Sequence, residues 1–178
     1  MSVLPDVTAS PGERRRPGAG DDIVPRPDIV MDRGFDLPAP PHEVWPWIVQ
    51  LGKKRSGWYL PRRLERLQPP GRRALRHVDP ALQTLNTGDV IPDYGRDETF
   101  EVALLEAPTL LVHRSVRGRM HVSWAITLTG LDDDRTRVHL RLRLGPVRRK
   151  LLVRTVGEFF DRLTIALVAA GLRERVSG

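Results

Sequence analysis

The chain has 178 residues, an apolar fraction of 40% and a net charge of +7 at neutral pH, so one domain with a substantial core is the expectation. It contains no cysteine, which excludes disulfides, thiolate nucleophiles and cysteine-bound metals. No apolar run approaches the roughly 18 residues of a membrane span.

The positive balance is scattered. Only Lys53, Lys54 and Lys150 are lysines, and the arginines run the length of the chain. That distribution fits a solvated surface better than a concentrated nucleic-acid footprint. The start of the chain lacks the apolar core of a signal peptide, so the expected location is the cytoplasm.

Residues 1–27 are rich in proline, glycine and arginine and show no periodicity; they read as a disordered tail. Residues 28–178 form the domain. Ile29 to Leu37 is a first strand. Pro38-Ala39-Pro40-Pro41 is a stiff turn, and Pro41 suits the first position of a helix. Val44, Ile48 and Leu51 recur at helical spacing, giving a helix over 42–51 that Gly52 ends. Trp58 to Leu67 is a second short helix. An irregular connection follows to Thr87, and a connection of that length is often functional.

From Gly88 the pattern turns to strands over 89–92, 99–106, 109–116, 120–128 and 135–144. In the third of these Leu110, Val112 and Arg114 fall on the inward parity and His113 on the outward. In the fourth, Met120, Val122, Trp124, Ile126 and Leu128 alternate with His121, Ser123, Ala125 and Thr127. In the last, Val138, Leu140, Leu142 and Leu144 alternate with Arg137, His139, Arg141 and Arg143. Strict alternation marks an antiparallel sheet with one face buried and the other in water. A long helix over about 147–173 closes the chain. Its expected sheet-facing stripe is Leu152, Val156, Phe159, Leu163, Leu167 and Ala170, with Glu158 and Asp161 turned away and Ile165 and Val168 outside. The class is α+β.

Four stretches in this order resemble the START-like (SRPBCC) superfamily, with its polyketide cyclase and lipid-transfer branches. They are Leu37-Pro38-Ala39-Pro40-Pro41-His42-Glu43-Val44-Trp45, then Trp47 to Gly52 leading to Gly57-Trp58-Tyr59, then Gly88-Asp89-Val90-Ile91-Pro92, and Ser123-Trp124-Ala125. The resemblance covers about residues 28–173. It implies a helix-grip fold, a curved antiparallel sheet wrapped around a long C-terminal helix with a cavity between them. It also implies a small hydrophobic ligand, or cyclase or dehydratase chemistry. Where that family often has a further tyrosine and an acidic residue, this chain has Leu60-Pro61-Arg62-Arg63.

The residues themselves favour binding. An apolar inward face with large rings and few polar groups describes a ligand cavity. Its expected wall is Trp58, Tyr59, Phe100, Val112, Trp124, Ile126, Leu140, Phe159 and Leu163, with Arg114 as an anchor for an acidic group. Arg114, Tyr59 and Asp93 are the candidates for catalysis, with Tyr94 beside Asp93 at the cavity mouth. No metal or cofactor motif is present. Nucleic acid, through residues 62–77 and the tail, ranks below both readings, and the sequence leaves the oligomeric state open.

Overall fold

The computed structural model describes residues 4–93, 97–132, 134–148 and 150–178. The elements in chain order are α1 (Pro11–Arg15), β1 (Ile29–Leu37), α2 (Pro41–Gln50), α3 (Arg62–Glu65), β2 (Val90–Pro92), β3 (Thr99–Glu106), β4 (Leu110–Arg117), β5 (Met120–Asp132) and β6 (Arg135–Gly145). The chain closes with α4 (Lys150–Leu152), a π-helical turn (Val153–Gly157) and α5 (Glu158–Val176). The strands form one antiparallel sheet in the order β1-β6-β5-β4-β3-β2. The expected α+β architecture is the one observed. Among the described residues no helix is long and apolar enough to cross a membrane.

Local chemistry sets most boundaries. Pro41 opens α2, whose Val44, Trp47, Ile48 and Val49 are buried. The second helix is far shorter than the expected 58–67. Pro61 keeps Leu60 out of the helical region, so the helix starts only after it and spans four residues.

The expected stripe of the C-terminal helix is wrong in phase. Leu152, Val156, Phe159 and Leu163 are exposed, Phe159 by 64%. The buried positions are Ile165, Ala166, Val168, Ala169, Gly171, Leu172 and Arg175. Backbone proximity decided this, not side-chain size. A Cβ on Gly171 would lie 2.7 Å from the Tyr59 carbonyl carbon and 2.8 Å from Leu60 backbone atoms. Glycine there costs about 1 kcal/mol of helix propensity. A methyl pressed into backbone that cannot yield costs roughly 1–3 kcal/mol, so close approach wins.

The N-terminal segment is not a disordered tail. Gly34 donates to the Val7 carbonyl at 3.0 Å, and Thr8 bridges Arg33, so the segment covers the free edge of β1. It then crosses the outer face of the sheet, burying Val7, Ala9 and Val24. α1 carries a capping box between Ser10 and Glu13. Gly20 has φ +78°, and a Cβ there would sit 2.6 Å from Val112 and 2.8 Å from the Ser123 hydroxyl. Only glycine allows this approach. A composition poor in apolar residues still docks because the sheet offers it arginines to bind.

Those arginines lie on β6, on the outward parity the sequence predicts, but they are not in water. Arg141 donates to Asp32 at 2.8 Å, to Asp21 at 3.1 Å, and to the carbonyls of Glu13, Arg14 and Arg16. Arg137 grips Glu13 through two bonds of 2.8 and 2.9 Å and reaches Asp36 at 3.0 Å. Arg143 pairs with Asp21 at 3.1 Å. Burial alone would raise the Glu13 pKa, but Arg137 and Ser10 outweigh it and hold it at about 2.

Candidate functional site

A cavity of about 1120 Å³ opens between the inner face of the sheet, α5 and the loops over 53–60 and 68–75. Its floor is Phe100 from β3, Met120, Val122 and Trp124 from β5, and Leu142 and Leu144 from β6. Trp58 lies over Trp124 with ring centroids 6.3 Å apart and planes 29° from parallel. Phe100 meets Trp124 at 6.0 Å. Rings placed this way offer a broad apolar surface at little entropic cost. From α5 come Phe160, Asp161, Thr164 and Ile165.

The polar lining is one-sided in charge. Lys53, Lys54, Arg55, Arg72, Arg73 and Arg117 are cationic, and Asp93 and Asp161 are the acidic members among the described residues. Both carboxylates are engaged: Asp93 pairs with Arg117, and Asp161 with Arg33 at 2.7 Å. Burial raises the Asp161 pKa, against the opposing pull of Arg33. Arg55 donates to the carbonyls of Val49 at 3.2 Å and Leu82 at 2.7 Å, and burial lowers its pKa. Arg73 is held in the same way by the carbonyls of Gln68 and Arg66.

The loop that carries these cations is fixed to the end of α5. Arg175 donates to the Leu75, Leu60 and Gly171 carbonyls and to Glu65 at 2.5 Å. Its guanidinium also lies 4.4 Å from the centroid of the Tyr59 ring. Tyr59 donates to the Trp47 carbonyl at 2.9 Å. With that proton committed, Ser56 is the donor in its 2.7 Å contact with the Tyr59 hydroxyl.

Compared by sequence, the chain matches no family model and no curated protein. Compared by structure, it is similar to CalU16 from Micromonospora echinospora, at 15% identity and a TM-score of 0.51, over 83% of this chain and 81% of that one. A protein from Rhodobacter sphaeroides gives 12% identity and 0.52, over 84% and 93%. A protein from Arthrobacter aurescens gives 14% and 0.51, over 84% and 87%. The six-stranded antiparallel sheet with its long C-terminal helix is a helix-grip fold. At these identities the likeness speaks for the helix-grip alone.

Within the helix-grip cavity, the expected wall is assembled in part. Trp58, Phe100 and Trp124 line it, as does Asp93. Tyr59 is fully buried against Trp47 and Arg175 and is not part of the lining. Ile126 and Leu140 face inward but are packed into the core. Phe159 and Leu163 are exposed on the helix. Tyr94 lies outside the described residues.

The largest correction concerns β4. Its partner β5 sets His113 opposite Trp124 and Leu111 opposite Ile126, so Leu111, His113, Ser115 and Arg117 face inward. Val112 and Arg114 face outward. Val112 is buried all the same, beneath Gly20. Arg114 is 52% exposed and pairs with Glu101 at 2.6 Å. Burial on both faces defeats alternation in Leu110-Leu111-Val112, and a register shift in β3 between Val102 and Leu104 moves the phase again. His113 is therefore buried, stacked on Trp124 at 5.5 Å. Burial first, then nearby Arg55, pushes its pKa down to about 4.

Arg114, Tyr59 and Asp93 are thus not brought together as a polar set. Arg114 lies on the outer face, Tyr59 in the core and Asp93 in an ion pair at the cavity. Sequence reasoning missed Met120, Val122, Leu142 and Leu144, although their shared parity with Trp124 and Leu140 was a sufficient signal. Arg55, Arg72, Arg73 and Asp161 had no such signal.

Proposed function

We propose that the protein binds a small hydrophobic or amphipathic molecule in the cavity between the sheet and α5. The observation that carries this is the ring-lined apolar floor under about 1120 Å³ of space. Ordinary ligand pockets run to roughly 1,000 Å³ and pair apolar walls with a few placed polar groups. The fold adds support, since in this chain the long α5 stands off part of the inner face and leaves that space open between helix and sheet.

The test uses the neutral fluorescent probe N-phenyl-1-naphthylamine. Saturable binding is expected in the wild type, with loss of that binding in Leu142→Trp, which fills the floor. A wild type that shows no saturable binding, or a Leu142→Trp variant that binds unchanged, would sink the proposal.

A further inference from the structure

We propose, resting on the cavity-binding function above, that the occupant is an amphipathic anion. Its apolar body would lie on Trp58, Trp124 and Phe100, and its acidic group would be held by Arg55 together with Arg72, Arg73 and Lys54.

The cavity's charge is unbalanced, with six cationic side chains against two carboxylates among the described lining residues. Both carboxylates already have arginine partners. None of the ion pairs among the described residues includes Lys54, Arg55, Arg72 or Arg73.

Arg55 and Arg73 are positioned by backbone carbonyls. A carbonyl orients a guanidinium without cancelling its charge. The Arg55 Nε is buried and has no partner among the described residues. A buried donor left unmade is costly, so a ligand oxygen there recovers that free energy. A cationic group beside low-dielectric apolar walls focuses its field on the cavity. Guanidinium groups also suit the planar oxygens of a carboxylate, sulfonate or phosphate.

The experiment compares dodecanoate, dodecanol and dodecylamine, titrated into the full chain and read by isothermal calorimetry. The wild type is expected to bind dodecanoate about tenfold more tightly than dodecanol, roughly the worth of one charge-assisted contact. Dodecylamine should bind weakest. The gap should narrow as salt rises from about 0.05 to about 0.5 M, because exposed cations are screened. The exposed pair Arg72→Ala/Arg73→Ala should lose most of the dodecanoate preference and keep its dodecanol affinity.

Equal affinities for dodecanoate and dodecanol overturn the anion assignment while leaving cavity binding standing. So does a preference for the amine, or a dodecanoate preference untouched by the double substitution. Failure of all three probes to bind overturns cavity binding and the anion assignment with it.

Discussion

The outer face of the sheet and the loops at the cavity carry the same kind of residue in opposite states. On the outer face Arg137, Arg141 and Arg143 each meet a carboxylate, from Glu13, Asp36, Asp21 or Asp32. In the cavity loops Arg55 and Arg73 meet only backbone carbonyls among the described residues, whereas Arg117 on the inner face of β4 pairs with Asp93. An arginine whose charge is answered inside the chain is part of the architecture. One that is oriented but unanswered leaves room for something from outside. Net charge alone hides this difference, because both kinds add equally to the +7.

The largest expected effect tests the closed face. Arg141→Met strips Asp32 and Asp21 of a buried partner. Breaking such a pair typically costs about 3–5 kcal/mol, because the remaining charge stays buried. Urea unfolding should report that loss, and amide exchange should show residues 4–28 released. A loss below about 1 kcal/mol, the worth of a surface pair, would mean the N-terminal segment is not docked there.

The next effect tests burial under the inner face. His113 has its pKa depressed from 6.5 to about 4. The unfolded chain therefore takes up a proton before the folded one does. Stability is full above pH 6.5 and falls as the pH drops from 6.5 towards 4, by about 3 kcal/mol in all. His113→Phe should remove that part of the acid loss, read as the difference between the two proteins' unfolding free energies across this window. Parallel curves would place His113 in water.

The smallest effect tests the phase of β4. Arg114→Ala should change neither the unfolding midpoint nor the affinity for dodecanoate by a measurable amount. A weakened dodecanoate affinity would return Arg114 to the cavity and reverse the two faces.

Pattern was enough for the antiparallel sheet, because β5 and β6 keep large apolar side chains on one parity and polar or small ones on the other, even where the N-terminal segment covers that second face. It was enough for the proline-led α2. It failed where apolar side chains are buried on both sides. Val112 is covered by the N-terminal segment and Leu111 by the core, so β4 shows no clean alternation. It failed again on α5, which has two apolar stripes. Hydropathy favours the one with Leu152, Val156, Phe159 and Leu163, while the buried one contains Ala166, Ala169 and Gly171.

The sequence by itself determined the α+β class, the strand order along the chain and an apolar inward face. Those follow from local spacing, which a chain carries wherever it is. Only the tertiary structure decided which stripe of α5 faces in, that residues 4–28 roof the outer face, and which arginines are answered. Each of these depends on partners far apart in sequence, such as Glu13 with Arg137 or Gly171 with Tyr59. Periodicity has no access to such pairs, because their free energy arises only once the backbone brings them within a few ångströms.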